Sequence, residues 1–189
     1  MDKIYQFQKD IFSQHVAESV QEDLLSDVNF GGGAIIQKTL PAPLVFETGY
    51  SAQEPPTGML SNLYTVMSDE LIKALQDAGV SNLQCFPAEV RSSVDGTVWN
   101  NYKVVNVVGL ISCANLQESE YTFIADRCRE GAMPLLAFED LKIDPVRAGG
   151  QLFFRLAEAP GTIIVSSRVV EYLRSIKSDD GWGLTLDEK

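Results

Sequence analysis

The sequence predicts an α+β fold, a mixed and mostly antiparallel sheet carrying a few packed helices. Two observations predict it. Short strand-like apolar runs recur along most of the chain, and helical periodicity is confined to a few windows that do not alternate strictly with them. A third observation adds symmetry. Residues 66–86 read as strand, serine, short helix, glycine and strand, and residues 164–186 repeat that order. Ser68 aligns with Ser166, Leu71 with Val169, Ile72 with Val170 and Leu75 with Leu173. Two copies are too few for a solenoid, so one domain with two similar strand-helix-strand units is expected.

The physics of each unit is local. Ser68, and Ser166 or Ser167, can accept a hydrogen bond from an open N–H of the first helical turn. Leu71 and Val169 stand where a capping box needs Glu or Gln, so neither copy has one. Leu71, Ile72, Leu75 and Ala78 make one apolar face, as do Val169, Val170, Leu173 and Ile176. Gly79 is placed to end the first helix in a left-handed conformation. The second stop is longer, Ser178-Asp179-Asp180-Gly181.

In chain order, residues 3–7 alternate and read as an edge strand. Phe12, Val16, Val20 and Leu24 recur every four residues and predict a helix over 12–25, with Glu18 and Glu22 one turn apart on its other side. Gly31, Gly32 and Gly33 are followed by no Gly-Lys-Ser/Thr, and Ala34, Ile35 and Ile36 read as strand, which argues against a phosphate loop. Residues 39–54 are extended, with Leu44, Val45 and Phe46 a short strand. The turn Pro55-Pro56-Thr57-Gly58 divides an N-terminal segment or small lobe, 1–58, from a main domain, 59–189, within one compact unit. After the first unit, Asp95-Gly96 signals a hairpin whose return strand starts at Val98. Residues 102–112 are nearly all apolar and predict a central strand buried on both faces. Residues 115–129, opened by Glu118 and Glu120, read as either a short helix or a loop. Strands follow over 133–143, before a turn at Asp144-Pro145, over 151–156 and over 162–165.

The net charge of −11 argues against a general nucleic-acid binder, which needs a basic footprint. It suits a basic protein partner, because an acidic surface raises the on-rate of such a partner. Acid outweighs base over residues 1–150, and residues 151–189 are close to neutral. Cys85, Cys113 and Cys128 are far apart and form no Cys-x-x-Cys, so Cys85 and Cys113, in apolar runs, read as buried reduced thiols. The N-terminus has no apolar signal core and no apolar run is long enough to span a membrane, so a cytoplasmic protein is expected.

The residues offer little chemistry. His15 has no Glu-x-x-His partner for a metal. No serine sits in Gly-x-Ser-x-Gly. Asp126-Arg127 and Glu139-Asp140 are charge pairs without a second half, and Asp179-Asp180 lacks the rest of a calcium loop. Trp99 and Trp182 read as core or interface aromatics. The expectation is a protein with no catalytic residues, cofactor or metal.

Four stretches resemble a bacterial family of immunity proteins of polymorphic toxin systems, earlier catalogued as a domain of unknown function. They are Met67-Ser68-Asp69-Glu70-Leu71 leading to Leu83-Gln84-Cys85-Phe86-Pro87, residues 102–113, Leu152-Phe153-Phe154-Arg155-Leu156, and Ile164-Val165-Ser166-Ser167-Arg168. The resemblance covers about residues 59–187, and Asn115-Leu116 departs from an acidic–aromatic pair in the pattern. It implies a non-catalytic protein that binds a cognate, cytosol-acting toxin tightly. Exposed acids are then the candidate toxin contacts: Glu18, Glu22, Glu118, Glu120, Asp179 and Asp180. The alternative is a homo-oligomeric scaffold or regulatory module, and homodimerisation stays open under either reading.

Overall fold

A computed structural model describes residues 3–10, 12–13, 15–61, 63–125 and 135–189. Along the chain run β1 (Ile4–Lys9), β2 (Ala17–Ser19), α1 (Glu22–Leu25), β3 (Leu44–Thr48), β4 (Met59–Ser61) and β5 (Val66–Ser68). Next come α2 (Asp69–Asp77), β6 (Leu83–Ser92), β7 (Val98–Val107), β8 (Leu110–Ile111), β9 (Glu120–Ala125) and β10 (Leu135–Asp140). The C-terminal part holds β11 (Phe153–Leu156), β12 (Ile163–Ser166), α3 (Ser167–Ile176), α4 (Asp179–Trp182) and β13 (Leu184–Glu188). The fold is α+β with mixed sheets, and strands outweigh helices.

A six-stranded sheet has the order β2-β3-β6-β7-β5-β4, a five-stranded sheet has β13-β1-β12-β11-β8, and β9 and β10 pair by themselves. The two repeat units have the same topology in different sheets. β5 and β6 both run antiparallel to β7, which lies between them. β12 and β13 both run antiparallel to β1, which lies between them. In each unit a helix therefore joins two parallel strands across one inserted strand. α2 and α3 meet in a common core. Leu71, Ile72 and Leu75 join Val169, Val170 and Leu173 there, with Met67, Val105 and Val107 from one sheet and Phe7, Phe153 and Val165 from the other.

The opposite faces of the sheets feed separate clusters, because successive strand side chains point to opposite sides. Val66, Val104, Leu44 and Phe46 belong to one such cluster, and Ile4, Phe154, Ile164 and Cys113 to the other. Burying each large side chain contributes roughly 1.5–3 kcal/mol. Residues 1–58 supply β1 to one sheet and β2 and β3 to the other. The chain on either side of the 55–58 turn is thus built into the same two sheets.

Ser68 caps α2 by accepting a hydrogen bond from the Leu71 N–H at 3.1 Å. Gly79 ends that helix with φ +102°. Trp182 is buried and donates its indole N–H to the Leu173 carbonyl at 3.1 Å.

Several expectations are corrected. β1 is an inner strand, not an edge strand, because β13 from the far end of the chain pairs along its outer side. The helix over 12–25 does not form. Phe12, Val16 and Val20 are exposed, and the backbone pairs with β3 instead, Ala17 opposite Thr48 and Ser19 opposite Phe46. Val45 fixes this path, accepting from the Val20 N–H at 3.1 Å and donating its own N–H to the Gln21 side chain at 3.1 Å.

Residues 34–36 form no strand. The Gln84 amide replaces a neighbouring strand by bonding the Ile36 N–H and carbonyl at 2.9 and 2.8 Å. The apolar run 102–112 is divided between the two sheets. Gly109, at φ +122°, turns the chain out of β7 and into β8. The second unit stops at Gly183, φ +68°, and not at Gly181, because Ser178 starts the extra helix α4. Residues 115–119 are a turn leading into β9. Cys128 and the Asp126-Arg127 pair lie outside the described residues.

Candidate protein-docking face

β2 is the outermost strand of its sheet, and its register places Glu18 directly opposite Glu47 of β3. Both carboxylates are exposed. Like charges directly across an antiparallel pair destabilise it. Loops from β1, β3 and α4 extend this surface. His15 packs edge-on against buried Tyr50, ring centroids 5.0 Å apart, and Tyr50 shares a 2.7 Å hydrogen bond with Ser13. A Cβ at Gly49 would stand 2.5 Å from the imidazole, so glycine is needed for that close approach. His15 is thus a packing residue of the loop.

Three neighbouring grooves share lining residues here. One, about 620 Å³, lies beside Val16, Glu18 and Leu63. A second, about 310 Å³, shares Val16 and Glu18 and adds Glu47 and His15. A third, about 340 Å³, shares His15 and adds Asp10, Phe12, Glu54 and Asp180. Five carboxylates, from Asp10, Glu18, Glu47, Glu54 and Asp180, therefore line this band of neighbouring grooves, and none is ion-paired among the described residues. Lys9 also lines it but is only 5% exposed, and burial lowers its pKa against the opposing pull of Asp10. Phe12 is 85% exposed and Leu63 73%, so the acids are interleaved with open apolar surface.

The structure brings two of the sequence-derived candidates, Glu18 and Asp180, to this band. Asp179 is held by Arg174 through three contacts of 2.7 to 3.2 Å. Glu118, on the turn into β9, and Glu120, the first residue of β9, are exposed and line none of the three grooves, and Glu120 faces Asp140 of β10. The backbone of Glu22 opens α1, so the helical face it was expected to share with Glu18 does not exist. Asp10, Glu47 and Glu54 were not singled out in the sequence. Glu47 alone carried a signal, as the outward position of the β3 alternation.

Elsewhere the buried titratable groups serve structure. Arg155 crosses between the sheets, donating to the Pro160 carbonyl at 2.9 Å and to Thr65 at 3.3 Å, and burial lowers its pKa to about 10. Cys113 is fully buried, and burial, followed by Glu158, pushes its thiol up to about 12. Cys85 is half-buried, and both are free thiols. Among the described residues no three His, Cys, Asp or Glu side chains gather to hold a metal. No described helix is long and apolar enough to cross a membrane.

An edge strand, neighbouring grooves and unpaired acid among exposed apolar groups make this surface a candidate protein-docking face. A sequence profile of the Immunity protein family (Imm11) matches residues 6–188, and the chain belongs to that family. The match takes in the N-terminal strands, so the kinship extends well beyond the 59–187 stretch where motifs were recognisable. No curated protein sequence matches the chain as a relative.

Proposed function

We propose that the protein neutralises a cognate secreted toxin of a polymorphic toxin system by binding it in the cytosol, without catalysis, through the acidic groove band. The observation that carries this reading is the Glu18–Glu47 pair at the open edge of the sheet. Two like charges facing each other are an internal cost that a cation on a partner removes. The other three carboxylates extend the field along the same band. They steer a basic toxin surface into register, and exposed Phe12, Val16 and Leu63 supply the apolar contact that slows its departure.

Immunity works by occupation, so the toxin's working surface needs only to be covered tightly. Affinity capture of the tagged protein from its native cells, with mass spectrometry of what it retains, tests this. The expected result is one stoichiometric partner with a toxic C-terminal domain and a basic contact surface. Recovery of the protein alone, from cells shown to express its neighbouring toxin gene, contradicts it. A captured toxin that degrades peptidoglycan contradicts the cytosolic part.

A further inference from the structure

The two repeat units differ at one chemically telling place, the N-terminus of the helix. Ser68 and Ser166 have nearly the same backbone, φ −70°, ψ 154° and φ −77°, ψ 154°. The Ser68 hydroxyl caps its helix. The Ser166 hydroxyl makes no cap bond and has no hydrogen-bond partner among the described residues, although Ser166 is only 9% exposed. A buried hydroxyl without a partner is costly and needs a reason.

The first turn of α2 carries Asp69 and Glu70, which complement the positive end of the helix. The first turn of α3 carries no acid and instead presents Arg168, which is exposed and makes no ion pair or hydrogen bond among the described residues. The charge at the equivalent position is inverted.

A cavity of about 310 Å³ lies at this point, lined by Ile4, Pro145, Val146, Leu152, Ser166 and Arg168, among others. Strand alternation aims Ser166 into it. Ile163 and Val165 point to the helix-containing core, whereas Ile164 points to the opposite cluster. Ser166 shares the side of Ile164, and its cross-strand partner Ile4 lines the same cavity. The walls are mostly aliphatic, and the polar groups are the Ser166 hydroxyl, the Arg168 guanidinium, Gln151 and the N-terminus of a ten-residue helix.

We propose that this cavity binds a carboxylate carried on an aliphatic group. The guanidinium of Arg168 offers a bidentate partner, the Ser166 hydroxyl a donor, and the α3 N-terminus a favourable dipole and the N–H groups of Arg168 and Val169, that of Ser167 being taken by the Lys3 carbonyl at 2.8 Å. The aliphatic walls favour an apolar tail over a compact, fully polar anion such as phosphate. A free small carboxylate and the C-terminal carboxylate of a peptide share this chemistry. The site is independent of the toxin-docking band and does not rest on that reading.

Titration of the full-length isotope-labelled protein with hexanoate, followed by amide NMR, tests the proposal. Saturable shifts are expected at Ser166, Ser167, Arg168 and Leu152, with none for hexanamide, which keeps the tail and loses the charge. Arg168→Gln and Ser166→Ala should each weaken hexanoate by roughly tenfold. Arg168 is exposed, so that variant keeps the wild-type spectrum and separates lost binding from lost folding. Inorganic phosphate should leave these amides unmoved. A tripeptide ending in leucine identifies a chain terminus as the source if it binds more tightly than hexanoate, and a free carboxylate if it binds more weakly. No saturable shift with either probe, equal binding of hexanamide, or unchanged affinity in both variants overturns the proposal.

Discussion

The β5-α2-β6 and β12-α3-β13 units have the same core and opposite polar ends. Their apolar positions are matched nearly residue for residue, and both helices sink into one cluster. Their N-termini diverge. In the first unit a serine closes the helix, and the acids after it are engaged from outside, Asp69 by Lys103 at 2.8 Å and Glu70 by Lys177 at 2.8 Å. In the second the serine is uncommitted and an arginine stands where the acids were. The apolar pattern specifies topology, so it is held in both copies. The polar helix ends do not, so one copy is electrostatically satisfied while the other is left able to meet something else.

The comparison is broken first at the shared core. Leu75→Ala and Leu173→Ala, at equivalent and fully buried positions, should each cost about 3 kcal/mol in urea unfolding. Each variant should keep a single cooperative transition, because one cluster holds both helices. A biphasic transition in either variant would show that the units are separate.

Two cysteines sharpen the contrast next. Cys113 keeps its proton in the folded state to about 12, against 9.0 in the unfolded chain. Between those values the folded state holds more protons, so stability is intact below pH 9 and falls as pH rises toward 12. By pH 11 the loss through this thiol is on the order of 2 kcal/mol. The Cys113→Ala variant should flatten the fall of the thermal midpoint with pH over that window. Half-buried Cys85, whose pKa burial also raises, should react with a thiol reagent faster than Cys113 in the native protein.

The two caps should behave differently. Ser68→Ala loses a real cap and should cost about 1 kcal/mol. Ser166→Ala removes an unpartnered hydroxyl and should be neutral or slightly stabilising in the absence of ligand. Equal losses in denaturant unfolding would erase the distinction. The smallest effect belongs to Lys177→Met, which removes the exposed bridge to Glu70 and should change stability by roughly 0.5 kcal/mol or less, declining with salt.

The two helices were legible in the sequence because their signals are local: a serine at the N-cap position and a one-sided apolar face in both, and in α2 a following glycine. Strand pairing was not. β1 read as an edge because its outer partner, β13, is formed by the last residues of the chain. Phe12, Val16 and Val20 gave a helical period that pairing with β3 overrode, because backbone bonds to Val45 were available and no core lay under that stripe. Gly109 was visible within the apolar run 102–112, and its positive φ is what passes the chain from one sheet to the other. Glu18 and Asp180 stood out as exposed acids, but only the fold joins them, through the His15 loop. Glu47 acquired its meaning only once the β2–β3 register placed it opposite Glu18.

The most direct test of the toxin-docking account is the association rate of the captured toxin, by stopped flow, with wild-type protein and with the Glu18→Gln/Glu47→Gln variant at low and high salt. The account predicts association slowed roughly three- to tenfold at low salt, with the difference closing at high salt. A variant that is as stable as the wild type or more so, and that binds the toxin at an unchanged rate at low salt, would contradict it.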